Sequence, residues 1–389
     1  MAVREIIKNK KYKIELFIGR NGSKKIMHYE IVNGGKKEAE LRESELKLQL
    51  KNHSFVKNND KTIKDLMVEY LDYNKDKWSP KTYYSNVYWA ENINKALGHI
   101  KIQNLNVKML ESFYSNLKNA TKEIIDKETN KKIKVKRFAG QTIKHHITLI
   151  NGALNKAVKW GYINYNINNN IEKPKIRKKQ IECYTPEEVE KLINVIKNEP
   201  IKYQAIILLA LDSGIRRGEL TGLTWKDINF EAGSITINKA TQYIKGIGII
   251  EKKTKSASSD RTIYLSNTTI NVLKNYKLEQ MRKKIKLGNR WGNSKRVFTT
   301  ERGEDMHPDT PSKIFQNIIK RYNLKRITFH GLRHTSISLM ISKGIQTQVI
   351  SKRAGHSSIS VTHNTYSHFF DSEFKKCADE MENFLKQAN

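Results

Sequence analysis

The sequence predicts a multidomain chain in three parts. A small β-sheet-plus-helix module comes first, then an all-α bundle, then a mainly α domain carrying a small antiparallel sheet. Three observations predict this. The chain has 389 residues, more than one ordinary hydrophobic core serves. Its apolar residues alternate at the start, then recur three and four apart from Thr62 onward. The aperiodic, basic stretch NNNIEKPKIRKKQ interrupts the helical pattern and places a boundary near Lys178. The parts are residues 1–57, 58–177 and 178–389.

The N-terminal part opens with KYKIELFIG, where Tyr12, Ile14, Leu16 and Ile18 alternate with Lys13, Glu15 and Phe17. Asn21-Gly22 is a strong turn signal, and KKIMHYEIV returns as a second strand. KKEAELRESELKLQLKN has helical spacing. The module is too small for an enzyme core and rich in lysine, so it reads as an accessory DNA-binding module; a stabilising appendage is the plain alternative. NHSFVKNND is a polar linker.

The middle part reads as four or so helices: TIKDLMVEYLDYNKDKW, SPKTYYSNVYWAENINKAL, NVKMLESFYSNLK and QTIKHHITLINGALNKAVKWGYI. Ser79-Pro80 fits an N-cap followed by proline in the first turn. Lys81, Tyr83 and Tyr84 follow directly. They put a cation and two aromatics at a helix N-terminus, where phosphate is favoured, and are the candidate DNA-contacting residues of this part. KEIIDKETNKKIKVKR is a lysine-rich, hairpin-like insertion whose plain alternative is a solvated loop.

The last part begins with YTPEEVEKLI, where Thr185, Pro186 and Glu188 fit a capping box. YQAIILLALDSG is an apolar helix ended by Ser213-Gly214, and SITINKA, GIIEKK and RTIYL read as short strands. Helical patterns then resume.

The composition narrows the partner. Charged residues are 29% and hydrophobic ones 38%, a globular balance, and the formal net charge is +33 with a pI near 9.8. Such an excess attracts a polyanion, most commonly nucleic acid, with a membrane surface as second choice. The longest apolar run, Ala205 to Leu211, is far short of a membrane span, and no secretory or transit segment is read at the start. Cys183 and Cys377 follow no metal or disulfide spacing, so reduced thiols and a cytoplasmic location are expected.

Four stretches of the last part contain residues that packing does not explain. SGIRRGELTGLTWKDI places Arg216 and Arg217 after a buried helix; HGLRHTSISLM places His330 and Arg333 one helical turn apart. GHSSISVTHNTYSH supplies His356 and Tyr366, and EKKTKSASSDRTIYL puts lysines at the tip of a strand pair. Arginine forks grip phosphate oxygens and stay charged. Tyrosine attacks phosphorus once its proton is removed, and histidine or lysine moves protons. No Asp or Glu cluster is present for magnesium, so the arginines replace a metal in neutralising the charge that develops. No cofactor or bound metal is expected.

These strings, in this order and spacing, resemble the tyrosine recombinases, or phage-type integrases. The first module resembles the arm-type DNA-binding domain of phage and conjugative-transposon integrases, and the bundle resembles the family's core-binding domain, best over TYYSNVYWAENINKALGHIKIQNL. The resemblance implies a tyrosine recombinase fold with arm-type, core-binding and catalytic parts. It implies Arg216 as the first clamp arginine, His330 and Arg333 as the His-x-x-Arg pair, His356 as the second histidine and Tyr366 as the nucleophile, accessible to a DNA backbone, with Ser357, Ser358 and Thr362 turning the chain so that it reaches the phosphate. Glu219 matches a usually acidic position that orients the site; Arg217 is the variable neighbour. His334, His363 and His368 flank these positions and are not assigned a contact with substrate.

The family also places a lysine general acid between two strands. Here Lys252, Lys253 and Lys255 are available; counting back from Arg261-Thr262-Ile263 selects Lys255 without a gap, whereas Lys253-Thr254 requires a two-residue insertion.

The implied function is an integrase of a mobile element. It would act on double-stranded DNA at core-type and arm-type sites, as a homotetramer, with an excisionase and a host DNA-bending protein as possible partners and no membrane. A type IB topoisomerase uses the same chemistry, but the arm-like module argues against it. A DNA-binding protein without turnover has no use for Tyr366. A zinc site at His330, His334 and His356 is opposed by the adjacent Arg333, which repels a cation.

Overall fold

A computed structural model describes residues 2–8, 10–52, 55–56, 59–125, 132–172, 182–253, 260–356, 358–360, 362–363, 366, 381–382 and 385–386. The chain forms two compact units, Met1–Arg177 and Lys178–Asn389.

The first unit starts with a three-stranded antiparallel sheet in the order β1 (Ala2–Ile7), β2 (Lys11–Asn21), β3 (Lys24–Asn33). The alternation in β2 does what its period requires: Tyr12, Ile14 and Leu16 are buried on one face. Helix α1 (Lys36–Lys51) closes that face through Ala39 and Leu46. β1 is an addition to the predicted hairpin. The turn also sits one residue later than predicted: Asn21 pairs with Lys24, leaving Gly22 and Ser23 as the loop.

Four helices follow, α2 (Ile63–Asn74), α3 (Pro80–Leu97), α4 (Val107–Asn119) and α5 (Gly140–Lys159). Their starts are fixed by side chains. Thr62 and Asp65 make a reciprocal capping box, and Ser79 and Asn106 accept from Thr82 and Met109 amides; each such cap contributes about 1 kcal/mol. Leu66, Ile93, Leu110, Ala153 and Leu154 meet in one apolar core. The lysine-rich insertion is a two-stranded ladder, β4 (Thr121–Ile125) against β5 (Lys132–Lys136).

The second unit is mainly helical. α6 (Pro186–Ile196) carries the predicted Thr185–Glu188 capping box. α7 (Ile201–Ser213) is apolar on most sides because it is buried on most sides, with Ala205, Ile206, Ile207 and Leu209 at the centre of the core. Short α8 (Arg217–Gly222) leads into β6 (Ile228–Asn229), β7 (Ser234–Ile237), β8 (Lys239–Ile244), β9 (Gly248–Lys253) and β10 (Arg261–Tyr264). β10, β7 and β6 form one antiparallel sheet, and β8 and β9 a separate hairpin. The predicted pairing across the lysine segment is therefore corrected: β9 pairs with β8 and β10 with β7. Helices α9 (Asn267–Leu287), α10 (Thr310–Arg321), α11 (Phe329–Ser342) and α12 (Thr347–Ala354) complete the unit. Among the described residues, no helix is long and apolar enough to cross a membrane.

Candidate active site

The site is built where helix ends meet. α7 terminates at Gly214, whose left-handed backbone (φ 62°, ψ 24°) turns the chain so that buried Ile215 plugs the core and Arg216 emerges extended. α12 terminates in the same way at Gly355 (φ 67°, ψ 47°). A side chain in this conformation costs about 1–2 kcal/mol, which glycine avoids. The final carbonyls of a helix lack intrahelical partners and carry the negative end of its dipole. Arg333 and Arg216 both use such carbonyls. Arg333 Nη1 donates to Gly214 O at 2.6 Å and Nη2 to Ala354 O at 2.7 Å. Arg216 Nη2 donates to Gly355 O at 2.6 Å. These bonds orient each fork and leave further N–H groups on it for an oxyanion.

Glu219 fixes the other side of Arg216. Its Oε1 accepts from Arg216 Nη1 at 2.8 Å and its Oε2 from the Arg216 amide at 3.0 Å. Both oxygens also accept from Arg261 of β10, at 3.3 and 2.8 Å. Glu219 is 4% exposed and Arg261 8%. Burial opposes ionisation of Glu219, but the Arg261 hydrogen bonds, then the charges of Arg261 and Arg216, outweigh it and hold the carboxyl below its usual range. Arg261 in turn donates to Arg353 O at 2.8 Å, and Arg353 pairs with Asp212 near the end of α7 at 3.2 Å. One chain of charges thus ties α8, β10, α12 and α7 together. Arg217 points elsewhere, to Asp309 and Ser312.

Helix α11, capped by Thr328, supplies three site residues from one face. Arg333 is 3% exposed. Burial, then the neighbouring Arg216 charge, lowers its pKa to about 9, so it stays charged at neutral pH. His330 lies at the first turn and touches His334 edge to face, with ring centroids 4.7 Å apart. Lost hydration, then Arg333, Arg216 and Arg217, lower the pKa of His330. His356 follows Gly355, and its Nδ1 lies 2.7 Å from Thr362 Oγ1. Burial and the charges of Arg333, Arg216 and Arg261 bring its pKa down to about 4, so it is neutral at pH 7.

Tyr366 corrects one expectation. The sequence reading makes it accessible; it is 1% exposed, packed against Ile337, Ile341, Ile350 and Ala354. Its hydroxyl lies 2.5 Å from Nδ1 of His334, a histidine not assigned a contact with substrate above. Burial raises the phenol pKa, and Arg333 opposes that effect. His334 has its own pKa lowered to about 4 by burial and by His330, Arg333 and His356.

The second unit thus assembles Arg216, Glu219, His330, Arg333, His356 and Tyr366. Lys255, Ser357 and His368 lie outside the described residues; Ser358 bonds Ser360, not the tyrosine. His363 is exposed. Sequence reasoning placed neither Arg261 against Glu219 nor His334 against Tyr366. Lys81, Tyr83 and Tyr84 occupy the first turn of α3 in the other unit, with the tyrosine rings edge to face at 5.4 Å and Tyr84 43% exposed. Among the described residues, no three His, Cys, Asp or Glu side chains are grouped as metal ligands.

Comparison with known proteins finds relatives of the domain and of the fold. Residues 182–373 match the phage integrase family. A tyrosine recombinase XerC-like protein of Caldanaerobacter subterraneus subsp. tengcongensis is 28% identical, over 93% of this chain and 94% of its own. The integrase of Staphylococcus phage L54a is 28% identical, over 74% of this chain and 90% of its own. Among solved structures, the Tn1549 transposon integrase in complex with transposon right end DNA superposes with a TM-score of 0.65, at 19% identity, over 82% of this chain and 99% of that one. The arginine forks, the Glu219 brace and the buried tyrosine all lie within residues 182–373, which are a phage integrase family domain, the domain of the tyrosine-type site-specific recombinases.

Proposed function

We propose that this chain is the integrase of a mobile element and that Tyr366 is its nucleophile. Tyr366 attacks a scissile phosphate of double-stranded DNA, giving a 3′-phosphotyrosine link and a free 5′-hydroxyl. The 5′-hydroxyl of a partner strand then attacks that link. Bond energy is conserved, so no nucleotide cofactor is required. Arg216 and Arg333 neutralise the charge on the phosphate oxygens, and His330 and His356 donate hydrogen bonds to them. Glu219 keeps Arg216 aimed, and Lys255 protonates the departing 5′-oxygen.

The observation that carries this reading is the convergence of the site residues. Arg333 donates to Ala354 O and Arg216 to Gly355 O, directly before His356, and His334, next to Arg333 on α11, lies 2.5 Å from the Tyr366 hydroxyl. The +33 net charge supports a DNA partner. In this reading residues 178–389 are the catalytic domain, 58–177 a core-site domain contacting DNA through Lys81, Tyr83 and Tyr84, and 1–57 an arm-site module. Four protomers on two duplexes exchange strands in pairs through a Holliday junction, with an excisionase and a DNA-bending protein setting direction. The protein works where that DNA lies, which we take to be the cytoplasm.

The test is covalent trapping. A duplex nicked beside the cleavage point should hold the wild type on a denaturing gel. Tyr366→Phe should bind the same duplex and form no adduct; an adduct persisting in this variant would remove Tyr366 from the role.

A further inference from the structure

We propose that His334 is the general base of the cleavage step, receiving the phenolic proton of Tyr366 on Nδ1 as the tyrosine oxygen bonds to phosphorus. The proposal rests on the reading of Tyr366 as nucleophile. Three observations carry it. The distance from Nδ1 to the hydroxyl oxygen is 2.5 Å, at the short end for a hydrogen bond donated by a hydroxyl. Tyr366 is 1% exposed, so bulk water does not reach the phenol to take its proton. His334 sits on α11 one residue after Arg333, so the base and a clamp arginine are held by one rigid element.

The surroundings suit a proton acceptor. The titratable and charged groups facing the pair are His330 and Arg333 from α11, His356 after α12 and Cys183 ahead of α6. Among the described residues, none of these groups is a carboxylate that would compete for the proton. Burial, then His330, Arg333 and His356, keeps the imidazole uncharged at neutral pH, the form that accepts, and makes it a weaker base than free imidazole. The same burial makes the phenol a weaker acid. Proton transfer ahead of attack is therefore uphill, and transfer must accompany formation of the O–P bond.

The balance closes. The phenolic O–H bond breaks, the proton goes to Nδ1 and the oxygen bonds to phosphorus. The P–O5′ bond breaks with its electron pair on the 5′-oxygen, which is protonated by the general acid. In the rejoining step a 5′-hydroxyl attacks the phosphotyrosine, and the departing phenolate takes the proton back from the imidazolium. Burial beside Arg333 disfavours that imidazolium, which favours the return.

The experiment is single-turnover cleavage by the full chain, on a nicked duplex carrying the site that the purified protein binds. His334→Ala leaves a hole that imidazole can fill. His334→Asn keeps a hydrogen-bond acceptor near Nδ1 but has no basic nitrogen. Both variants should bind the duplex as the wild type does and cleave it at least ~100-fold more slowly. Their rates should climb with pH between about 6.5 and 9, because the space vacated by the imidazole admits hydroxide to the phenol, where the wild type is flat. Added imidazole should restore His334→Ala. Cleavage by His334→Asn at the wild-type rate with a flat profile overturns the proposal, because hydrogen bonding alone would then suffice. Failure of imidazole to rescue a DNA-binding His334→Ala also overturns it. If His334→Ala does not bind DNA, the Asn variant decides alone. A wild type that forms no adduct removes the nucleophile reading and the base with it.

Discussion

Replacing Glu219 by Gln keeps the shape of the side chain and removes its charge. The carboxylate is 4% exposed and serves both Arg216 and Arg261, and Arg261 is itself 8% exposed. Gln leaves the Arg261 guanidinium buried without its counter-ion, and removing one partner of a buried pair costs about 3–5 kcal/mol. For a unit the size of Lys178–Asn389, each kcal/mol moves the melting temperature by about 2–4 °C, so the transition should fall by about 6–20 °C. Differential scanning calorimetry of the full chain reads this. The pH dependence has a definite sign. The folded pKa of Glu219 is lowered, so its contribution is present above the unfolded carboxyl pKa and is lost as pH falls through the folded value. The gap between wild type and Glu219→Gln should therefore close in acid. A double replacement, Glu219→Leu with Arg261→Met, should be more stable than Glu219→Gln alone, because no charge is stranded. A melting temperature for Glu219→Gln within about 2 °C of wild type would refute the reasoning and mean that Arg261 is solvated.

Three further outcomes are expected. His334 and His356 have folded pKa values of about 4, below the ordinary value of about 6.5. Across that interval the unfolded chain binds protons that the folded chain does not, so the urea midpoint should fall from pH 7 to pH 5, and His356→Asn should flatten the slope. Lys255→Ala should cleave ordinary DNA ~10²–10⁴-fold more slowly, yet cleave a 5′-phosphorothiolate nearly as fast as wild type, because a thiolate departs without a proton; if Lys253→Ala shows this pattern instead, the gapless spacing is wrong. Deleting residues 1–57 should leave cleavage at the core site, abolish bridging of distant sites and give a shallower salt dependence of binding; an unchanged footprint and unchanged recombination would reduce the module to an appendage.

The motif residues were legible because each is a charged or nucleophilic side chain in a place where packing wants none. Arg216 after an apolar helix and His330 with Arg333 one turn apart read directly from the chain. Most helices were legible for a similar reason, since Thr62, Ser79 and Thr185 announce their starts. Arg261 and His334 were not legible. Arg261 looks like an ordinary strand residue, and its role exists only because β10 passes within reach of Glu219, 42 positions earlier in sequence. His334 acquires its role from Tyr366, 32 positions later. The burial of Tyr366 was misread for the same reason. Its polar neighbours in sequence are not its neighbours in space, which are Ile337, Ile341, Ile350 and Ala354. β1 escaped because AVREII is short, and its pairing with β2 is what makes it a strand.

The carbonyls that hold the two clamp arginines have a consequence for how the site tolerates change. A side-chain partner can be lost by a single substitution; a main-chain oxygen cannot. Arg333 is seated on Gly214 and Ala354 through main-chain oxygens, and Arg216 on Gly355 likewise, with the Glu219 carboxylate as its side-chain brace. Sequence drift around the pocket therefore leaves these seats in place so long as the two helices end where they do. The burden of preserving the forks falls on the path of the chain, and hence on two glycines that never touch the substrate. Random mutagenesis scored for DNA cleavage should find Gly214 and Gly355 as intolerant as the arginines.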